Sequence, residues 1–371
     1  MKILHVNSYY LAGKFYKNLY NEQIRQNLNI DVYVPAIKNI QYNFDYGNFT
    51  RISPNHSKYD RVFFHVKHKK ILKDIKIKYN IKSFDILHAH SLFSNGYIAY
   101  KLNKEFKIPY IVAVRSTDIN IFFKNMIHLR KLGVEVLKNA QKIIFLSTPY
   151  KKITVDKYIP YELKERILNK AVIIPNGIDD FWYKNLYEAK SNMNDEVIKL
   201  FYAGLITKRK NLPATLDAIN ILIKKNYKVQ FMIVGKIENK RIFKQVKNKP
   251  HITYIPPQPK EELIRFYREN DIFVMPSKSE TFGLVYAEAM SQGLPVIYTK
   301  GQGFDQQFKE GVVGYHVDCG NPYEIAQRIL DIKNNYKTIS DNCINLCSKF
   351  NWKIIAQTYK NIYGEINEYF Q

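Results

Sequence analysis

Two glutamates, Glu280 and Glu288, stand with seven residues between them in the stretch SETFGLVYAE. Were both on one helix they would lie ~12 Å apart along its axis and about 80° apart around it. That spacing rules out a close acid/base pair. It suits two grips on one extended ligand. Carboxylates hold vicinal hydroxyls, and the backbone amides of Thr281, Phe282, Gly283 and Leu284, at a helix start, suit a diphosphate. Sugar hydroxyls joined to a diphosphate and a ribose describe a nucleotide-sugar. The plainer alternative is a solvated Glu280 and a Glu288 on an exposed helix face. A second candidate is GLITKRKNL, residues 204–212, where Lys208, Arg209 and Lys210 follow a strand and precede a helix. Cations there neutralise a diphosphate as it leaves, although a KRK tripeptide alone is more often a solvated turn.

The flanking pattern supplies elements to hold these groups. Residues 271–276 form a short apolar run ended by Pro276, residues 277–281 a polar turn, residues 283–292 a helix closed by Gly293, and residues 295–299 a second strand. The candidate ligand loop thus lies at the carboxyl end of a strand, where open α/β sheets bind ligands. Upstream, the spacing predicts strands at 2–6, 31–35, 85–88, 109–114, 142–146 and 172–174. Helices are expected after Gly13, in the latter part of 58–82, and over 95–106 and 121–139. Residues 176–191 read as a linker. The alternation restarts at LFYAGL and ends in a helix over 352–370 with Ile355, Tyr359, Ile362 and Ile366 along one side. After Thr299, GQGF and KEGVVGYHV read as glycine-punctuated turns. The class is α/β, with two Rossmann-like halves facing a cleft. The expected domains are residues 1–180, 181–350 and a terminal helix over 351–371.

The first half offers fewer chemical groups. DILHAHS brings His88 and His90 to a strand end, either as structural hydrogen-bonders or beside a substrate. No third ligand accompanies them at metal spacing, so zinc is not expected. VRSTD places Arg115 and Asp118 in a loop after a strand, as orienting groups or as a salt-bridged pair. NGI at 176–178 is a turn signal read as a hinge.

The motif from Glu280 to Glu288, with TFG inside it and EAMSQGLPVI after it, resembles the E-x7-E signature of the retaining GT-B glycosyltransferases of glycosyltransferase family 4. The resemblance covers most of the chain. It implies a GT-B fold with the terminal helix docking back on the first domain, transfer with retained anomeric configuration, and no bound metal or other cofactor. The donor is a nucleotide-sugar, a UDP-sugar before a GDP-sugar. By resemblance Glu280 holds the donor sugar, Glu288 the ribose, and Gly204, Lys210 and Arg209, with the 281–284 amides, the phosphates. Departures are as definite. The family's Gly-Arg pair is Gly204-Leu205 here, leaving Arg209 or Lys208 to supply the charge. Where relatives carry a histidine beside the donor sugar, this chain has Arg115, so Arg115 and Asp118 are the candidates for that catalytic face. A paired-glycine loop is reduced to Gly13 followed by Lys14, which with His90 marks the acceptor side.

The chain has 371 residues, enough for a large core, and a net charge of +24. Residues 1–180 carry +16 and the remainder +8. Such a field draws polyanions, although an A+T-rich genome also enriches Lys, Asn, Ile and Tyr. Nucleic acid is not the expected partner, since no basic reading helix or aromatic-basic strand motif is evident. Cys319, Cys343 and Cys347 form neither an even disulfide set nor a metal quartet. No leader or membrane-crossing run is read, so a cytoplasmic location is expected. The basic 58–82 segment and IFFKNM at 121–126 offer contact with an anionic membrane at its inner face, although buried core is the commoner fate of such an apolar run. The expected acceptor is a glycan or lipid-linked glycan in bacterial surface polysaccharide assembly. A GT-B binding module without turnover is the alternative kept open by Leu205, Arg115 and the short glycine loop.

Overall fold

The computed structural model describes residues 1–38, 44–61, 63–190, 192, 193, 196–247 and 249–370. They divide into two compact units. Unit 1 comprises Met1–Leu146, Tyr150–Pro175 and Trp352–Gln371, and unit 2 comprises Ser147–Pro149 and Asn176–Asn351.

Unit 1 is built on a seven-stranded parallel sheet in the order β3-β2-β1-β4-β5-β6-β7. The strands are β1 (Lys2–Val6), β2 (Asn29–Ile37), β3 (Thr50–His56), β4 (Ile86–Ala89), β5 (Tyr110–Val114), β6 (Lys142–Phe145) and β7 (Ala171–Ile173). Strands β1, β4 and β5 are buried on both faces, which explains their unbroken apolar runs. One face packs Leu4, Val6, Leu87 and Val112 against Ile71, Ile75 and Phe93. The opposite face packs Ile3, Val32, Ile86 and Ile111 with Leu19 and Tyr20.

The terminal helix Trp352–Phe370 belongs to this second face, where it buries Trp352, Ile355, Ala356, Tyr359, Ile362, Tyr363 and Ile366. The stripe spaced by three and four residues is therefore a docking face. At ~2 kcal/mol per large apolar side chain, its burial contributes on the order of 10 kcal/mol before entropy is charged.

Unit 2 has a six-stranded parallel sheet in the order β10-β9-β8-β11-β12-β13. Its strands are β8 (Ile198–Ala203), β9 (Val229–Val234), β10 (Ile252–Ile255), β11 (Ile272–Val274), β12 (Val296–Thr299) and β13 (Gly314–Val317). No helix among the described residues is long and apolar enough to cross a membrane.

Several elements depart from the sequence reading. KEGVVGYHV contains edge strand β13, not only turns. A Cβ on Gly314 would fall 1.9 Å from the Val296 carbonyl oxygen, so glycine permits the strand pairing. The single helix expected over 121–139 is broken into a π-helical turn Asp118–Phe123, a short turn Ile127–Leu129 and an α-helix Arg130–Asn139. Arg130 closes the break by donating from Nε to the Phe123 carbonyl at 2.6 Å. Within the expected linker, Asp179 caps a short helix Asp180–Lys184. Helices Thr148–Tyr158, Tyr161–Leu168 and Tyr336–Leu346 lacked a clear sequence signal.

Candidate functional site

A polar constellation of unit 2 lies beyond the carboxyl ends of β8 and β11. After β8 the chain turns through Thr207 to Lys210 and enters the helix Leu212–Lys224 by way of Asn211, which adopts φ +58°. The Asn211 side chain donates to the carbonyls of Pro276 (3.1 Å) and Cys319 (2.8 Å), tying three loops together. The Lys278 amide donates to the Arg209 carbonyl, and the Arg209 guanidinium donates to the Ser279 carbonyl, both at 2.8 Å. This lacing delivers Lys210 Nζ to Glu280 Oε2 at 2.5 Å, with Arg209 at 3.4 Å from the same oxygen. The Lys210 and Glu280 side chains are each only 10% exposed. Burial pulls the Lys210 ammonium below the usual lysine range, while Glu280 pulls the opposite way. Arg209, itself exposed, is the second cation in contact with Glu280.

Glu280 is held from behind as well. Its amide donates to Gln302 Oε1 at 2.9 Å, and the Gly303 amide donates to its carbonyl at 3.1 Å. A Cβ on Gly303 would stand 1.9 Å from the Thr281 carbonyl oxygen, so the approach requires glycine. Sequence reasoning missed Gln302. The GQG turn was its only signal.

Beyond Glu280, Gly283 takes φ +82° as the residue preceding the helix Leu284–Ser291. The amide of Thr281 reaches back to Glu280 Oε1 at 3.2 Å. The amides of Phe282, Gly283 and Leu284 make no hydrogen bond to a described residue, which leaves donors at the positive end of the helix. Glu288 lies half-buried on the second turn, accepting from Tyr267 Oη at 3.3 Å. Burial first, and Asp179 nearby, push its carboxyl up to about 7, with Tyr267 and Lys260 acting the other way. Gly204, Leu205, Gly235, Pro257, Gln258 and Val285 line a cavity of about 260 Å³ at the ends of β8, β9 and β10. Unit 2 thus gathers carboxylates, cations, free amides and a mostly apolar slot along one edge of its sheet.

In unit 1 the fold brings Arg115, Asp118 and His90 into one knot. Arg115 Nε donates to the His90 carbonyl at 3.1 Å. Asp118, 1% exposed, accepts from the amides of Leu92 (3.0 Å), Phe93 (3.1 Å) and Arg115 (2.8 Å). Burial raises its carboxyl to about 6, against the lowering effect of those amides. Both oxygens of Asp118 thus accept from the backbone. Gly13 follows a turn at Tyr10–Ala12 with φ +150° and open space where a Cβ would point.

His90 is wholly buried and cannot touch an acceptor in this arrangement. Here the fold supplies the third imidazole that spacing did not reveal. His5 on β1 pairs with His88 on β4, and His5, His88 and His90 bring ring nitrogens within 4.8 Å of one another. His5 Nδ1 lies 3.0 Å from His90 Nε2, and His88 Nδ1 lies 2.6 Å from Tyr363 Oη on the terminal helix. The planes of His88 and His5 lie within 20° and 27° of that of His90. The planes of His5 and His88 cross at 43°. Burial drops His5 to about 3 and takes His88 and His90 well below the usual range, so all three are neutral near pH 7.

Residues 12–180 match the model for Glycosyltransferase Family 4, and residues 184–345 match that for glycosyl transferases group 1. The chain is a glycosyltransferase of the GT-B fold. The glycosyltransferase is 28% identical over 361 residues to an uncharacterized glycosyltransferase of Methanocaldococcus jannaschii, covering 92% of this chain and 94% of that one. Its fold matches the lipopolysaccharide outer core galactosyltransferase WaaB with a TM-score of 0.75 and 15% identity, covering 98% of this chain and all of that one. It also matches the Anabaena protein HepE, solved with UDP and glucose, at a TM-score of 0.68 and 15% identity, with 98% and 100% covered.

Proposed function

We propose that the glycosyltransferase moves a hexosyl group from a UDP-sugar to a glycan or lipid-linked acceptor, with retention and without a bound metal or other cofactor. The observation that carries this reading is the buried Glu280–Lys210 pair beside the free amides of Phe282, Gly283 and Leu284. A nucleotide-sugar exchanges that pair for two better-matched contacts. Its diphosphate takes Lys210, Arg209 and the amides, while its sugar hydroxyls take Glu280. Glu288 accepts from the ribose hydroxyls, and the base enters the cavity beside Gly204 and Gln258. The C1–O bond to the diphosphate breaks as the acceptor oxygen bonds C1 on the same face. The acceptor proton passes to a departing phosphate oxygen, whose charge Lys210 and Arg209 stabilise.

The UDP bound by the Anabaena neighbour supports uridine as the base, and the lipopolysaccharide role named for WaaB supports a surface-polysaccharide acceptor. Incubation with UDP-glucose, UDP-galactose and GDP-mannose, with a polyprenyl-diphosphate-linked sugar as acceptor, tests the reading. One UDP-sugar should give nucleotide release that persists in EDTA and a product of unchanged anomeric configuration by NMR. Donor binding without release in the presence of such acceptors would refute turnover. Inversion or EDTA sensitivity would refute the corresponding step.

A further inference from the structure

Large apolar side chains exposed on a soluble surface are unremarkable when scattered and informative when gathered. Of the eighteen such side chains among the described residues, six fall in two short segments of unit 1: Tyr59, Phe63, Val66, Ile77, Ile121 and Ile127. The helix Phe64–Lys78 buries His68, Ile71 and Ile75 toward the sheet. At 100° per residue, its opposite side carries Val66, Lys69, Lys73 and Ile77. Phe63 and Val66 meet Phe122, Met126 and Leu129 around an open groove of about 320 Å³. Beyond His65, which borders both, lies a second groove of about 670 Å³ between Lys69, Lys73, Lys76, Ile77 and Tyr97. Lys70 is bound to Asp60 and Lys76 to Glu105, whereas Lys69 and Lys73 have no acidic partner among the described residues. Lys101, over the Tyr97 ring, adds another cation at the rim.

We infer that this face of unit 1, made by the helix Phe64–Lys78 and the 121–129 segment, is a docking surface for an anionic lipid bilayer. Hydrocarbon side chains flanked by ammonium groups match the two layers of such an interface. Phe63, Val66 and Ile127 enter the boundary of the acyl chains, and Lys69 and Lys73 meet the phosphates of anionic headgroups. A nucleic acid would use the charge and leave the apolar groove unoccupied. The inference extends the proposed lipid-linked acceptor by naming the surface that brings the enzyme to it, but its geometry lies wholly in unit 1 and does not depend on the donor reading.

Sedimentation of the full chain with phosphatidylcholine vesicles, with and without phosphatidylglycerol, is the test. Binding should require phosphatidylglycerol and weaken with salt. Each lysine contributes about a fivefold change in partition, so Lys69→Glu/Lys73→Glu should lose at least about 25-fold. Phe63→Ser/Ile127→Ser should weaken binding about tenfold without removing the salt dependence, and in Phe63→Trp the indole emission should shift blue on vesicles. Both lysines are exposed, so unchanged melting temperatures should accompany these losses. Equal binding to neutral vesicles, full binding by the double glutamate variant, or preference for a single-stranded oligonucleotide would overturn the inference. UDP-glucose titration of the same variants separates the two proposals. Vesicle binding without donor binding defeats only the donor site, and the converse defeats only the docking surface.

Discussion

Glu288 provides a direct test of how the donor is held, because its carboxyl titrates at about 7 in the folded protein. A ribose diol donates its hydroxyl protons, so the ionised carboxylate is the form that accepts both bonds. If only that form binds, the apparent Kd is the intrinsic value divided by the ionised fraction. That fraction is roughly one-tenth at about pH 6 and nine-tenths at about pH 8, so UDP-glucose affinity should rise about tenfold between them, or ~1.4 kcal/mol. UDP-glucose suits the measurement because its diphosphate does not titrate in this range. Calorimetric titration of wild type and Glu288→Gln gives the answer, with Gln weaker and flat with pH. Folding stability should move oppositely. An acid whose folded pKa exceeds its unfolded value favours the protonated fold, so the wild type loses stability as pH rises from about 4.5 to about 7. Above that window Glu288→Gln should melt higher than wild type while binding donor less well. A pH-independent wild-type Kd, or the same slope in the Gln variant, would refute the assignment of Glu288 to the ribose.

The other two predictions concern groups whose burial fixes their role. Lys210→Met leaves buried Glu280 with the 3.4 Å contact to Arg209 as its remaining ion pair and should cost about 2–3 kcal/mol of stability by denaturant titration, less than the about 3–5 kcal/mol of a fully stranded buried charge. Lys210→Met/Glu280→Met should recover most of that stability while turnover stays down about 10²–10³-fold; recovery of activity together with stability would remove both residues from the site. Asp118→Ala strips three amides of their acceptor and should cost at least about 3 kcal/mol, whereas Asp118→Asn keeps one acceptor oxygen and should cost about 1 kcal/mol. A group that only touched reactants would leave the melting temperature unchanged in both variants.

Sequence carried the elements around Glu280 and Glu288 well because they are local. Strand β11, the loop bearing Glu280 and the helix from Leu284 follow within about twenty residues, and each has its own period or breaker. The KRK turn was readable for the same reason, although which of its side chains contacts Glu280 was not, since that depends on loops about 70 residues apart in the chain. Less was legible where neighbours are distant in the chain. His88 meets Tyr363 across 275 positions and His5 meets His90 across 85, so no spacing rule could find the third imidazole. The break in the 121–139 pattern likewise depends on a turn capped by Arg130, which hydrophobic periodicity does not report.

The separation of Glu280 from Glu288 suggested two independent grips on distant ends of a ligand. The fold retains that division but gives the carboxylates different charge environments. Glu280 is matched against Lys210 and Arg209, whereas Glu288, near Tyr267 and Asp179, bears an unfavourable charge. Donor binding should therefore have opposite electrostatic effects at the two ends. At Glu280 it breaks an existing ion pair and must repay it with phosphate and hydroxyl contacts. At Glu288 the proposed ribose contact would relieve a charge that the empty fold tolerates poorly. Under the proposed roles, sugar identity tunes the first exchange without disturbing the second, so substitutions in the loop held by Gln302 and Gly303 should change donor choice, and substitutions at the Glu288 turn should change nucleotide affinity across all donors.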